Sequence, residues 1–186
     1  MTNLGYALLG MLAYEPRTGY DLAQLMKQQV GYFWSAKHSQ IYPELTRLES
    51  EGFVTFEVIE QQDRPHKKLY HITSAGLEVL RNWVTTPAES TPVRDELILK
   101  AYCIWLADPG KAIELFKQEE LRHRQQLAQY EQLYIWGEEN LVKEQRSKSS
   151  PLFGKYLSLA RGISYEREYA EWCRWVIEQL EKPDFF

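Results

Sequence analysis

Between Lys37 and Arg47 the chain carries a run of side chains suited to hydrogen bonding: Lys37, His38, Ser39, Gln40, Tyr42, Thr46 and Arg47, with Pro43 among them. Gln and Arg can each make paired bonds to base edges in the major groove of DNA, and hydroxyls can reach bases or phosphates. Further along, Arg64, His66, Lys67 and Lys68 form a basic cluster suited to phosphate. The whole chain has a net charge of −4, and the part up to Thr86 holds eight Lys and Arg against nine Asp and Glu. That balance argues mildly against a nucleic-acid binder. DNA meets only one face of a protein, however, so the local clusters weigh more than the sum.

These groups need elements to aim them. Ser39 to Gly52 reads as a helix with Ser39 as its N-cap, Pro43 in or near its first turn and Gly52 as its stop. Ile41, Leu45 and Leu48 fall on one face, and Gln40, Pro43, Thr46, Arg47 and Ser50 on the other, with Tyr42 on the flank. Arg47 can read a guanine edge or pair with Glu51 four residues on. Tyr42 can bond a phosphate or pack on the core.

Residues 53–60, FVTFEVIE, and 69–73, LYHIT, read as two strands around a basic tip, which makes a wing. Lys67 and Lys68 alternate in direction, so only one need face DNA. Upstream, residues 3–14 form an apolar helix. Residues 18–30 form a second, with Thr18 and Asp21 as a variant capping box. Tyr32, Phe33 and Trp34 most simply pack under the loop before the recognition helix; the alternative, a stacking platform for single-stranded bases, lacks an accompanying basic groove. After the wing, Thr73 or Ser74 caps a helix through Val84. This order over residues 1–86 predicts a winged helix-turn-helix DNA-binding domain.

Residues 87–92, PAESTP, read as a short linker, and residues 93–186 as wholly helical. Helices are expected over 93–107, over 109–145 with Asp108 as cap, and over 152–181. The long helices carry apolar residues at near-heptad intervals, more than one monomer of this size can cover. A homodimer would bury them. The predicted fold is therefore mainly α: an N-terminal winged helix-turn-helix followed by an all-α helical dimerisation domain. The large aromatics beyond the linker serve core and dimer packing. Trp105, Tyr134, Trp136, Tyr169 and Trp172 are also candidates to line a site for a small aromatic effector.

Little points to catalysis. The chain has no Gly-rich phosphate loop, no HExxH and no Gly-x-Ser-x-Gly. Glu119-Glu120 and Glu138-Glu139 read as solvated charges, and His123, in EELRHRQQ, as part of a polar helix face. His66 has no second His or Cys at ligand spacing, so neither a metal nor a cofactor is expected. Cys103 and Cys173 read as buried free thiols. No apolar run approaches the roughly 20 residues of a membrane span, and the N-terminus lacks a basic export region; a cytoplasmic protein without membrane contact is expected.

Three motifs carry a family resemblance. They are Ile41-Tyr42-Pro43 opening the recognition helix, Leu48-Glu49-Ser50-Glu51-Gly52 leading to the wing, and Tyr70-His71-Ile72-Thr73-Ser74-Ala75-Gly76 closing the domain. Over about 85 residues the chain resembles PadR-like transcriptional regulators. The tail, ending RGISYEREYAEWCRWVIEQL, is similar to the helical C-terminal domain of the virulence-activator subgroup. The resemblance implies a dimeric regulator on a pseudo-palindromic DNA operator, most often a repressor, released by a phenolic acid or flat hydrophobic ligand. It also places Tyr20, of the early Gly19-Tyr20 pair, among the DNA-side candidates. Lys37-His38 stand where the family usually has Gly or Pro, which adds positive charge at the helix entry. The alternative to this reading is a winged-helix interaction module that has lost DNA binding and works through its tail.

Overall fold

A computed structural model describes residues 1–27, 37–60, 66–88 and 94–183. Tyr32, Phe33, Trp34 and Arg64 lie outside the described residues, as does most of the expected linker. The chain divides into two compact units, Met1–Ser90 and Thr91–Phe186.

In the first unit α1 (Asn3–Leu12) buries Leu8, Leu9 and Leu12, consistent with its apolar surface. Strand β1 (Arg17–Thr18) leads into α2 (Gly19–Leu25). The Thr18 hydroxyl accepts from the Asp21 amide at 3.2 Å, and the Asp21 carboxylate accepts from the Thr18 amide at 3.3 Å, so the predicted capping box is present. Helix α3 (His38–Ser50) puts Ile41, Leu45 and Leu48 into the core with Leu22, Met26, Val54 and Tyr70. It ends as expected at Gly52, whose φ of 76° suits the left-handed cap. The Phe53 amide donates to Leu48 O and the Gly52 amide to Glu49 O, both at 2.9 Å, which completes a Schellman motif.

The start of α3 differs from expectation. Lys37, not Ser39, is the N-cap residue, because the Gln40 side-chain carbonyl takes the Lys37 amide at 2.9 Å. Pro43 therefore lies inside the helix, beyond the first turn, where its missing N–H removes one helical bond.

Strands β2 (Val54–Ile59) and β3 (Lys67–Ile72) form an antiparallel hairpin with Val54 opposite Ile72 and Phe56 opposite Tyr70. Strand β1 pairs with the far edge of β3, Arg17 opposite Tyr70, which gives a sheet order of β1-β3-β2. Two residues are too short to show a strand periodicity, so β1 went unpredicted. Val54 is buried, but Val58 and Ile59 are exposed, so the hairpin leaves the core toward its tip. Thr73 then caps α4 (Ser74–Trp83), its hydroxyl accepting from the Gly76 amide at 3.1 Å.

The second unit contains α5 (Glu96–Tyr102), a 3-10 turn (Ile104–Leu106), α6 (Pro109–Asn140) and α7 (Pro151–Leu180). The single helix expected over 93–107 is thus a shorter helix and a turn. Asp95 sets its start, accepting from the Leu97 and Ile98 amides at 2.9 and 3.2 Å. Asp108 caps α6 as predicted, with Pro109 in its first turn, but α6 stops at Asn140. Helices α6 and α7 pack along each other. Phe116 and Cys173 are fully buried between them, with Trp172 edge-on to Phe116 at 5.6 Å. Cys103, expected to be buried, is exposed on the short segment before the turn.

Candidate nucleic-acid interface

The polar run lies where the helix turns away from the core. Lys37, His38, Ser39, Gln40, Tyr42, Pro43 and Thr46 are all exposed, opposite buried Ile41, Leu45 and Leu48. Several are already oriented. Gln40 holds the Lys37 amide, and the Thr46 hydroxyl donates back to Tyr42 O at 3.1 Å. The Tyr42 ring lies against Gly19 on one side and tilts toward His38, 5.4 Å between ring centres, on the other. Tyr42 thus packs and stays exposed at once. Tyr20 is exposed on α2, its hydroxyl accepting from Gln24 at 2.8 Å.

Arg47 stands apart from this group. It is half-buried, and its guanidinium donates to Glu44 through Nε at 3.1 Å and Nη2 at 2.5 Å, and to Glu51 through Nη1 at 2.6 Å. The pairing with Glu51 weighed in the sequence is present, together with a tighter partner in Glu44. These bonds hold the guanidinium well above its usual pKa, Glu44 contributing most. In turn the Arg47 hydrogen bond holds the Glu44 carboxyl below its usual range, although burial opposes this.

On the wing His66, Lys67 and Lys68 are exposed. The Lys68 ammonium sits 3.6 Å over the Phe56 ring and 3.9 Å from Glu49 of α3. That contact ties the wing to α3 across nearly twenty residues of chain, beyond the reach of local periodicity.

In the second unit the five effector candidates do not converge. Trp105 and Trp136 are exposed at 78% and 58%. Tyr134 lines an open groove of about 370 Å³ between α6 and α7 with Glu131, Ile135, Ala160, Ile163 and Arg167. Tyr169 and Trp172 are half-buried and pack edge-to-face against the core at 5.4 Å.

His123 overturns its sequence reading. It is 2% exposed, with Nδ1 2.5 Å from Glu166 Oε2 and its ring stacked on Tyr169 at 4.0 Å. Arg122 Nη2 lies 2.9 Å from Nε2. A guanidinium only donates, so Nε2 accepts and the Nδ1–H donates to Glu166. Tyr169, joined to His123 by ring stacking, donates its hydroxyl to Asp95 at 2.7 Å. Burial, then that bond, push the Tyr169 phenol far above its usual pKa. Burial opposes ionisation of Asp95, but the Tyr169 hydroxyl and the Ile98 and Leu97 amides outweigh it and lower its pKa. Glu119 and Glu120 are not free solvated charges either: Glu119 pairs with Arg122, and Glu120 with Arg124 and with Arg174 of α7. Among the described residues no three His, Cys, Asp or Glu side chains gather to hold a metal, and no helix is long and apolar enough to cross a membrane.

Two family models account for most of the chain. Residues 8–82 match the transcriptional regulator PadR-like family, and residues 93–181 match the virulence activator alpha C-terminal family. The negative transcriptional regulator PadR of Bacillus subtilis is 38% identical over 98% of this chain and all of its own length. The crystal structure of B. subtilis PadR in complex with operator DNA superposes with a TM-score of 0.83 at 35% identity, covering 97% of this chain and 100% of that one. The structure of the same protein with p-coumaric acid matches at 0.77 and 34% identity, over 96% of this chain and 99% of that one. With the family model matched over the first unit and a relative 38% identical along the whole of its own length, the chain belongs to the PadR-like family of transcriptional regulators.

Proposed function

We propose that this protein is a homodimeric, DNA-binding transcriptional repressor that leaves its operator when a small phenolic acid binds. The observation that carries the reading is the exposed polar face of α3 beside the basic wing, in a chain that matches a PadR solved on operator DNA over its full length. On this reading residues 1–86 bind DNA, 87–92 link, and 93–186 make the dimer. Ser39, Gln40, Tyr42, Pro43 and Thr46 enter the major groove. Lys37, His38, Tyr20, Arg64, His66, Lys67 and Lys68 serve phosphate and groove edge. Two such helices in a dimer reach successive major grooves when they lie roughly 34 Å apart.

Support for the dimer comes from the second unit, where Ile98, Leu99, Tyr102, Trp105 and Leu106 are all at least half exposed. The p-coumaric acid complex of the relative supports a phenolic effector here. Tyr134 and its groove, and the aromatics Trp105, Trp136, Tyr169 and Trp172, remain its candidate contacts. The protein is read as a regulator and not an enzyme, in keeping with its relative.

The test is a mobility shift on DNA upstream of the protein's own coding sequence, with and without p-coumaric acid. Binding relieved by the acid is expected. An effector can release DNA only through unequal affinity for the two states, so operator must weaken acid binding by the same factor. Absence of any DNA binding would favour the interaction-module alternative, which the near-neutral first unit supports.

A further inference from the structure

The described residues of the first unit bury one charged side chain, Glu44, and it lies on the helix proposed to enter the groove. A buried carboxylate needs partners, and Glu44 has two kinds. Its Oε1 accepts from Arg47 Nη2 and from the Thr2 hydroxyl, both at 2.5 Å, and its Oε2 from Arg47 Nε. Thr2 is the N-cap of α1, its hydroxyl also accepting from the Gly5 amide at 3.0 Å. Gly5 leaves room for this junction: a Cβ there would lie 2.5 Å from Glu44 Oε1 and 3.1 Å from Arg47 Nη2. The N-terminus of α1 and the middle of α3 thus meet on one carboxylate, through Thr2 and Glu44, 42 residues apart in sequence.

The charge balance points the same way. One guanidinium is flanked by two carboxylates, Glu44 and Glu51, and the N-terminal ammonium also acts on Glu44, so the charge of Arg47 is already matched before any phosphate approaches. If Arg47 swung out to read a base, Glu44 would be left buried without an ion-pair partner, keeping the Thr2 hydroxyl and the longer-range pull of the N-terminal ammonium.

We propose that Thr2, Glu44 and Arg47 form a clamp that seats the recognition helix on the N-terminus of α1, and that Glu44 and Arg47 act as positioning residues rather than DNA contacts. The inference rests on the DNA-binding reading for its consequence but not for its geometry. It makes the first residues of the chain part of the DNA-binding apparatus. It also moves base reading to the more N-terminal part of the α3 face.

The experiment uses the full-length protein and double-stranded fragments that the parent selects from a random pool. Affinity for the selected fragment and for each single-base variant is measured well below the melting temperature of every protein variant. Glu44→Gln, Arg47→Ala and Thr2→Asp should each weaken binding about tenfold, by the same factor at every base position. Thr2→Asp keeps a good helix cap but sets a carboxylate against Glu44, while Thr2→Ser keeps cap and donor and should bind like the parent. A loss of preference at one base pair confined to Arg47→Ala would show that Arg47 reads that base, and the proposal falls. It falls equally if Glu44→Gln and Thr2→Asp bind like the parent.

A double-mutant cycle on thermal stability, without DNA, tests the geometry separately. Thr2→Val and Arg47→Ala should couple through Glu44, and strict additivity would refute the clamp. A parent that selects no DNA defeats the proposed function, and the cycle alone then decides the clamp.

Discussion

The two units use similar amounts of chain differently. In the first, short helices and the start of one strand turn their aliphatic residues inward onto one core: Leu8, Leu9, Leu12, Leu22, Ile41, Leu45, Leu48 and Val54. In the second, two long helices meet along one seam, and the buried apolar cluster gathers around Phe116, Cys173, Val176 and Ile177. Further along that seam the contact becomes polar, at His123–Glu166, while Leu133, Trp136, Leu157 and Trp175 are exposed. A two-helix seam has too little surface to cover both helices all round. The contrast teaches that the first unit gathers its aliphatic residues into one core, whereas the second leaves apolar surface suited to a second copy.

Separating the units should give the largest effect. A chain ending at Thr86 should stay folded and monomeric, and lose operator affinity by about 10²–10⁴-fold as the second half-site is no longer tethered. Sedimentation and a shift assay check this, and a stable dimer of residues 1–86 would break the contrast.

Next in size is the polar seam. His123→Ala leaves the Glu166 carboxylate buried without its partner and should cost about 3–5 kcal/mol. Glu166→Ala leaves only an imidazole N–H unmatched and should cost about 1–3 kcal/mol. Urea melts of both variants test the ordering. Equal costs would mean that the tautomer assigned from Arg122 is wrong.

A smaller effect is expected from the exposed end of the second unit. Tyr102→Asp with Trp105→Asp should weaken the dimer about tenfold, or 1.4 kcal/mol, while leaving the monomer's melt nearly unchanged. A normal dimer constant would place these side chains outside the interface.

The smallest difference concerns alkali. Burial, aided by Glu119 and Glu120, pushes the Cys173 thiol up to about 11 from an ordinary 9.0. A raised folded pKa means the stabilising contribution is intact below pH 9.0 and is lost as pH rises through about 11. The alkaline melt should therefore weaken first in the second unit, and Cys173→Ala should remove that early part. Cys103, exposed, should leave it unchanged. An unaltered pH profile in Cys173→Ala would assign the loss to other groups.

By itself the sequence determined whatever a few neighbouring residues decide. The Thr18–Asp21 box, the Gly52 stop and the Asp108-Pro109 start are all legible, because a cap joins groups within a few positions. The aliphatic backing of α3 and the wing after it were legible for the same reason, since period and turn residues are local. With them came the mainly α winged-helix architecture and the outward polar run. Local rules went astray where a competing local bond won, as when Gln40 took the Lys37 amide and moved the helix start ahead of Ser39.

Tertiary structure alone decided the rest. The seating of Glu44 depends on Thr2, 42 residues away, and His123 depends on Glu166, 43 residues away. In sequence, Glu44 and His123 look like ordinary polar positions on helices. Only packing of one helix on another takes them out of water, and a polar group out of water must find its partner wherever the fold brings one.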